Sequence, residues 1–529
     1  MLVVWLLVLA TEWPVSAQTI RPVSDGTVLK QIIVFGRHSI RAPTSATNEL
    51  NVYAADPFPI FVGVPTGYLT PKGRLAAGVM GTYFREYLVH EGVLTSDTNA
   101  NLARSYFRAN SIERSYMTAA HFGAGLIPGA SIPVHTFAAG TPDLVFDPLL
   151  AGVAKVNPAR ALAEAQGIYG SGSNLASAYS SEFSLLRKVL YPSGIQPTGN
   201  TNQGVTDPTA VPIVLATNAP QYFSNYVTGG VLSIGGVDNS VDASDPFVMQ
   251  YADGFPTNEV GWGRFTLDTL SQQTRLLTLQ FEVLLRQPYL ARVQSSSAAS
   301  HILRSMLQVT GGVPLAGAFG TPESQVLVII SSDAYLTGVA GLLNMHWLLP
   351  GYQADFCPPG GALIFELRQE IATQNYLVRV FYTAQTFDQL RQLTPLSLAV
   401  PPATMQLLVP GGSSATNLDV PFATFTNLLN AAIDLNCVWQ PFAGEPQPTV
   451  ENPYTADNPT NLTASVSSKT LTIGWSADHL GWTLQTQTNG LGGGQWYDLP
   501  GSSVVNMVDI PIQPTSLAVF YRLSQQPSP

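Results

Sequence analysis

The chain has 529 residues, too many for one ordinary hydrophobic core, so two or three domains are expected. Hydrophobic residues make up 45% of the chain and charged residues only 11%, which is typical of a globular protein with a neutral, loop-rich surface. The formal net charge of −10 disfavours a nucleic-acid-binding surface, and with five lysines in all, any positive pocket must be built from arginine.

The N-terminus resembles an export signal. An apolar stretch at residues 2–10 is too short to span a bilayer, and small residues at positions 15–17 offer a cleavage site. We therefore predict a signal peptide at residues 1–17 and an exported protein, either periplasmic or secreted. The n-region carries no Lys or Arg, so a buried N-terminal strand remains the alternative. No later segment reaches 18 apolar residues, so no transmembrane segment is expected.

The first elements of the mature chain alternate between strand and helix patterns. Residues 31–35 form a short apolar run that predicts a buried strand leading into a loop. Thr70 and Pro71 suit the N-cap and the first position of a helix with an apolar face. After a second predicted strand, Asn110 and Glu113 predict a capping box that opens another helix.

Further along, the sequence pattern changes four times. Helical patterns dominate residues 141–298, and α/β patterns lie on both sides of them. We predict an α/β core of residues 30–140 and 299–440, interrupted by a mostly α-helical cap at 141–298. A Pro-rich polar linker is predicted at 441–459 and a small β-sandwich module at 460–529. The expected fold class is α/β, a three-layer core with an inserted α cap and a C-terminal all-β module.

A cluster of positive donors follows the first predicted strand. Arg37 and Arg41 flank His38 on a loop at the strand end, where α/β folds place their sites. A guanidinium group can donate two parallel hydrogen bonds to the oxygens of a phosphate. A neutral imidazole between two such groups is a candidate nucleophile. These residues indicate phosphate chemistry, and the alternative is a basic surface turn with a packed histidine.

The segment RHSIRAP at residues 37–43 resembles the R-H-x-x-R-x-P signature of the histidine acid phosphatases, a family that includes bacterial phytases and glucose-1-phosphatase. Further similarity lies at residues 67–73, 110–115 and 249–264. The resemblance covers about residues 30–440. It implies an α/β core with an α cap, a small phosphomonoester as substrate, and no metal or other cofactor.

The resemblance also implies a role for each matching residue. His38 is the expected nucleophile that forms a phosphohistidine, and Arg37, Arg41 and Arg114 are the expected phosphate-binding residues. Asp333, after a later predicted strand, is the expected acid that protonates the leaving alcohol.

The chain departs from the family pattern beside these residues. Ser332 stands where the family has a phosphate-binding histidine, and it is expected to bind the phosphate through one neutral hydrogen bond. The loss of the charged hydrogen bond predicts activity roughly ten- to a hundredfold lower. Ser39 replaces a glycine after the nucleophile. Thr44 and Ser45 are expected in the substrate pocket, and Ser45 stands where phytases tend to carry a lysine. A sugar-phosphate or broad monoester phosphatase is therefore favoured over a specialised phytase.

The two cysteines, Cys357 and Cys437, are consistent with a single disulfide in an exported protein, and two unpaired buried thiols are the alternative. No His or Cys spacing indicates a metal site.

Two functions follow from these features. The first is an exported acid phosphatase that hydrolyses phosphomonoesters through a phosphohistidine. The second is a catalytically impaired, phosphoester-binding surface protein, which Ser332, Ser39 and the β module support. A phosphomutase is disfavoured by the export signal, and the sequence predicts no oligomeric state.

Overall fold

The structure is a computed structural model that describes most of the chain. The predicted signal peptide and most of the predicted linker lie outside the described residues. The described residues are 25–192, 207–209, 211, 213, 216–217, 232–414, 416–441, 448–450, 462–467, 469–475, 479, 482–487, 496–512 and 519–525.

Strands and helices alternate through the first and last parts of the described core. The strands are β1 (Thr27–Arg37), β2 (Ser105–Ala109), β3 (Val134–His135), β4 (Ala216–Thr217), β5 (Leu232–Ser233), β6 (Val326–Ser331), β7 (Ala362–Glu370), β8 (Tyr376–Ala384), β9 (Ala403–Gln406), β10 (Val420–Pro421), β11 (Thr463–Ser467), β12 (Thr470–Gly474), β13 (Trp482–Gln487), β14 (Tyr497–Asp498), β15 (Met507–Pro511) and β16 (Phe520–Gln525).

The helices occupy the remaining regular segments. They are α1 (Thr47–Leu50), α2 (Pro71–His90), α3 (Thr98–Ala103), α4 (Glu113–Leu126), α5 (Pro158–Tyr169), α6 (Gly172–Ala178), α7 (Ser180–Leu190), α8 (Gly236–Asp253), α9 (Leu267–Gln273), α10 (Arg275–Phe281), α11 (Pro288–Gly311), α12 (Asp333–Leu342), α13 (Phe387–Gln392) and α14 (Phe422–Ala432). No helix in the described ranges combines the length and the apolarity needed to cross a membrane.

A mixed sheet lies at the centre of the core. Among the described residues it has eight strands in the order β10-β8-β7-β1-β6-β2-β3, with β9 paired to β8. Strand β6 runs parallel to both β1 and β2, and Arg37 is in register with Ser331. Because parallel strands end at the same edge of a sheet, the residues that follow β1, β2 and β6 are brought together there.

Helices cover both faces of this sheet. In β1, Ile33 and Phe35 belong to one buried cluster, whereas Ile32 and Val34 belong to another. The first cluster includes side chains of α11, α12 and α14, and the second includes side chains of α2 and α4. This alternation at a period of two buries both faces of the strand. The three-layer α/β core predicted from the sequence is therefore confirmed.

Of the two helix starts beside the first loop, the sequence predicted the cap of α2 correctly and that of α4 wrongly. Thr70 is the N-cap of α2, and its hydroxyl accepts a hydrogen bond from the Gly73 N–H at 2.9 Å. The capping box predicted for α4 is wrong, because the N-cap is Ile112 and no side chain caps it. The buried Glu113 carboxylate instead accepts a hydrogen bond from the Leu69 N–H at 2.8 Å. The Glu113 carboxylate, which the sequence pattern assigned to the helix cap, is thus used in a tertiary contact.

Most elements between β3 and β6 are helices, from α5 to α11, and the only strands in the described part of this stretch are the short pair β4–β5. The boundary expected at residue 298 falls inside α11, a continuous helix that packs against α12. A five-residue π-helical turn, Glu282–Arg286, lies between α10 and α11.

The C-terminal strands form two antiparallel sheets, β11-β12-β15 and β14-β13-β16. Ile473, Trp475 and Leu484 share a small core between the two sheets. The Asn506 side-chain amide donates to the Gly63 carbonyl at 3.0 Å, which links these sheets to the loop before α2.

A backbone link also joins the sheet edge at β3 to a later segment. Thr136 and Thr449 exchange two hydrogen bonds, of 2.8 and 2.7 Å, just beyond β3.

The disulfide suggested by the sequence is wrong, and the alternative of two free buried thiols is correct. Cys357 lies in the large cluster beneath the sheet, with its Sγ atom 3.4 Å from the Thr337 hydroxyl. Cys437 packs in a separate cluster with Ala154 and Val293. The two thiols therefore belong to separate clusters of buried side chains.

Helices α2 and α4 approach each other at glycines, which yields a test of the packing. A methyl group at Gly81 would collide with the Phe122 carbonyl, so we expect Gly81→Ala to destabilise the protein by about 1–3 kcal/mol through overpacking. Gly167 in α5 is exposed and has open space around it, so Gly167→Ala should stabilise the protein by up to about 1 kcal/mol. Urea unfolding of both variants checks this, and equal effects would contradict the close approach.

Candidate active site

The backbone of His38 is fixed at the end of the central sheet. His38 is the first residue after β1, and its N–H donates to the Ser331 carbonyl at 2.9 Å. Its own carbonyl accepts from the Gly360 N–H at 3.0 Å. The residue is therefore held between the end of β6 and the loop that precedes β7.

The imidazole of His38 is oriented by its own chain. Its Nδ1 atom lies 2.8 Å from the Ser39 carbonyl oxygen, which can only accept, so Nδ1 carries the proton and donates. The Nε2 atom then keeps its lone pair. Desolvation, followed by the charges of Arg114, Arg37 and Arg41, holds the pKa of His38 well below its usual range. The side chain is thus a neutral imidazole with a free nucleophilic nitrogen.

Arg37 and Asp333 join the ends of the two neighbouring parallel strands. The Arg37 Nη2 atom lies 3.0 Å from the Asp333 Oδ2 atom, and Nη1 donates to the Cys357 carbonyl. Arg37 is almost wholly buried, with 1% of its surface exposed. Asp333 is the first residue of α12, where the helix N-terminus favours a negative charge.

The other two arginines come from different elements. The Arg41 Nη2 atom lies 2.8 Å from the Asp245 Oδ2 atom on α8. Arg114, near the start of α4, donates to the Gly67 carbonyl at 3.2 Å. Desolvation, with the nearby charge of Arg41, lowers the pKa of Arg114 to about 10. Two cations held this close to each other, in a partly enclosed place, favour an anion between them.

One open cavity of about 880 Å³ collects these groups. Seven of the residues predicted for the site line it: His38, Arg41, Thr44, Ser45, Arg114, Ser332 and Asp333. Arg37 does not line the cavity and reaches it only through its ion pair with Asp333. Ser332 is the N-cap of α12, but its side chain makes no capping hydrogen bond. The serine therefore faces the same space as the nucleophile candidate.

A family profile, the histidine phosphatase superfamily (branch 2), matches residues 28–153. Phytase AppA of Escherichia coli strain K12 is 31% identical to the chain over 416 residues, which cover 76% of this chain and 92% of the relative. The chain belongs to the histidine phosphatase superfamily. The resemblance seen in the sequence is therefore confirmed, and the protein is a phosphoric monoester hydrolase.

Other relatives agree with this family. A glucose-1-phosphatase of Salmonella typhimurium is 26% identical over 422 residues, which cover 79% of this chain and 95% of the relative. Among solved structures, the Hafnia alvei phytase in complex with tartrate has a TM-score of 0.69 at 27% identity and covers 78% of this chain and 99% of its own. The Citrobacter braakii phytase has a TM-score of 0.68 at 25% identity, with 78% and 99% covered.

Sequence reasoning missed one whole wall of the phosphatase cavity. Asp242 and Asp245 on α8 line it, together with apolar side chains of α10 and the π-helical turn, among them Leu277, Phe281 and Leu284. The signal available in the sequence was a pair of aspartates three residues apart, which places both on one face of a helix. Nothing in that pattern relates the pair to Arg41, about 200 residues earlier in the chain.

The loop after His38 is held by a threonine of α4. Thr118 accepts from the Ser39 N–H at 3.0 Å, and its hydroxyl donates to the Arg114 carbonyl at 2.7 Å. The Ser39 hydroxyl is buried and has no hydrogen-bond partner among the described residues.

This contact gives a test of how the nucleophile loop is positioned. We expect Thr118→Val to lower the free energy of unfolding by about 1–3 kcal/mol, because the buried Ser39 N–H loses its acceptor. Hydrolysis of a phosphomonoester should also slow by roughly tenfold, since the loop that carries His38 shifts.

Thr82→Val is the matched control, because Thr82 is exposed on α2 and its hydroxyl bonds only within its own helix. Equal losses of stability and rate in the two variants would contradict a positioning role for Thr118.

Proposed function

We propose that this phosphatase hydrolyses small phosphomonoesters through a phosphohistidine formed on His38. The observation that carries the proposal is the neutral imidazole, with Nδ1 bound to the Ser39 carbonyl, in a cavity that it shares with Arg41 and Arg114. A neutral nucleophile surrounded by cationic donors suits attack on a phosphate dianion.

The first step transfers the phosphoryl group. The Nε2 lone pair of His38 forms a bond to phosphorus while the phosphorus–oxygen bond to the alcohol breaks. Asp333 gives its proton to the departing oxygen, and Arg41 and Arg114 stabilise the phosphate oxygens. Arg37 joins them as a third donor when it exchanges its ion pair with Asp333 for the phosphate.

The second step regenerates the enzyme. Water attacks phosphorus, the nitrogen–phosphorus bond breaks, and the electron pair returns to His38. Asp333, now ionised, takes a proton from the attacking water. Inorganic phosphate leaves, and atoms and charge balance without a metal or other cofactor.

Ser332 sets the expected efficiency of this chemistry. A serine hydroxyl offers the phosphate one neutral hydrogen bond, whereas the histidine of the family pattern offers a charged one. We propose that the enzyme is active but slowed. The second candidate, a phosphoester-binding protein with little turnover, is favoured by this same substitution.

The setting of the enzyme is part of the proposal. The apolar start of the sequence and the small residues at 15–17 support export to the periplasm or beyond. Residues 30–140 and 299–440 are proposed as the catalytic core, with 141–298 as its cap. The relatives carry the names phytase and glucose-1-phosphatase, and we propose sugar monophosphates or a broad range of monoesters as substrates.

Hydrolysis of an aryl phosphate between pH 3 and 8, with a metal chelator present, tests the mechanism. We expect activity to persist in acid, because the lowered pKa of His38 keeps the imidazole neutral as the pH falls. His38→Ala should reduce the rate by roughly a thousandfold or more. His90→Ala, which changes an exposed histidine at the end of α2, should leave the rate unchanged.

Turnover by His38→Ala at the native rate would refute the phosphohistidine. Binding of the ester by the native chain without turnover would support the second candidate instead.

The role of Ser332 has its own test. Ser332→His should raise kcat/KM for the aryl phosphate by roughly ten- to a hundredfold, because a charged donor is restored beside the phosphate. Ser332→Asn adds similar bulk without a charge and should give no such gain. A rise in the asparagine variant alone, or in neither variant, would mean that the serine does not limit the rate.

A further inference from the structure

The cavity of this phosphatase has two unlike ends. Its cationic and nucleophilic groups, His38, Arg41 and Arg114, all come from the elements around the ends of β1 and β2. No lysine and no further arginine lines the cavity in the described part of the chain. Positive charge is therefore sufficient for one phosphate and is confined to the place where the scissile phosphate would bind.

The opposite wall carries negative charge. Asp245 is paired with Arg41 at 2.8 Å. Asp242, one helical turn earlier on α8, is exposed to the cavity and forms no ion pair among the described residues. A second phosphate on this side of the cavity would meet the carboxylate of Asp242, which is not paired with a cation among the described residues. Repulsion between close like charges excludes a ligand more strongly than a missing contact does.

The rest of this wall is apolar. Leu277 and Phe281 from α10, with Leu284 and Leu285 from the π-helical turn, line the cavity beside the two aspartates. Apolar walls of this kind hold the apolar face of a ligand, and a few polar groups fix its orientation.

We propose that Asp242, when ionised, acts with Asp245 as a specificity-determining residue that restricts the site to esters with a single phosphate. The leaving alcohol is uncharged, directs a hydroxyl toward Asp242 and lays an apolar face against Leu277 and Phe281. The inference rests on the proposed function, since it assigns the leaving-group side of the same site. The proposed substrate specificity differs from that of relatives named phytases, whose name refers to inositol hexakisphosphate.

Charge at Asp242 depends on its surroundings. Desolvation, together with the carboxylates of Asp238 and Asp245, raises the pKa of Asp242 to about 7. At pH 8 the side chain is therefore mainly ionised, and the exclusion of a second phosphate is measurable there.

The experiment measures binding rather than turnover. The His38→Ala chain, which cannot form the phosphohistidine, is titrated calorimetrically at pH 8 with glucose 1-phosphate and with inositol hexakisphosphate. Glucose 1-phosphate should bind more tightly. Adding Asp242→Asn should strengthen hexakisphosphate binding by roughly tenfold, because one repelling charge is removed, and should change glucose 1-phosphate binding by less than about threefold.

Asp268→Asn in the same background is the matched control, because it removes an equal charge from an exposed site on α9 outside the cavity. The proposal is overturned if Asp242→Asn alters both ligands alike or neither, if Asp268→Asn acts as strongly, or if the His38→Ala chain prefers the hexakisphosphate. The result is independent of turnover, so it stands apart from the aryl phosphate assay that decides the phosphohistidine mechanism.

Discussion

The parallel pairing of β1 with β6 is the constraint on which the site depends. It sets Arg37 opposite Ser331, so His38 follows one strand and Ser332 and Asp333 follow the other at the same sheet edge. Apolar residues alternate between the two faces of β1, and a slip of one residue would turn every buried side chain to the wrong face. The register that places the proposed nucleophile beside the proposed acid is therefore enforced by the hydrophobic core several residues away.

Burial and charge then act together at this edge. Removing His38 from water among three arginines keeps the imidazole neutral, which is the form that can attack phosphorus. The same arginines would repel one another in an empty site, and Asp333 and Asp245 neutralise part of their charge. In the proposed reaction an incoming phosphate would replace these carboxylates as the partner of the arginines, so the resting ion pairs would also keep the donors in position for the substrate.

Site residues that belong to a short sequence motif could be predicted from the sequence. Contacts between distant elements could not. The RHSIRAP segment and the strand before it predicted His38, Arg37 and Arg41, which the structure gathers at the expected sheet edge. The wall formed by Asp242 and Asp245 could not be predicted, because only the tertiary fold sets α8 against Arg41. Glu113 shows the converse, since its local capping pattern is overridden by contacts with Leu69 and Arg74.

The two hydrogen bonds between Thr136 and Thr449 bear on a different property, the behaviour of this chain toward its own copies. Exposed sheet edges offer unpaired backbone groups on which a strand from another molecule can assemble. At one edge of the central sheet, Thr449 occupies the groups next to the two-residue strand β3. The other edge is shared by β9 and β10, and β10 is equally short and contains Pro421, which has no N–H to donate. The β3 margin and the β10 end of the other margin therefore offer few backbone groups on which a strand from another copy of the chain could assemble.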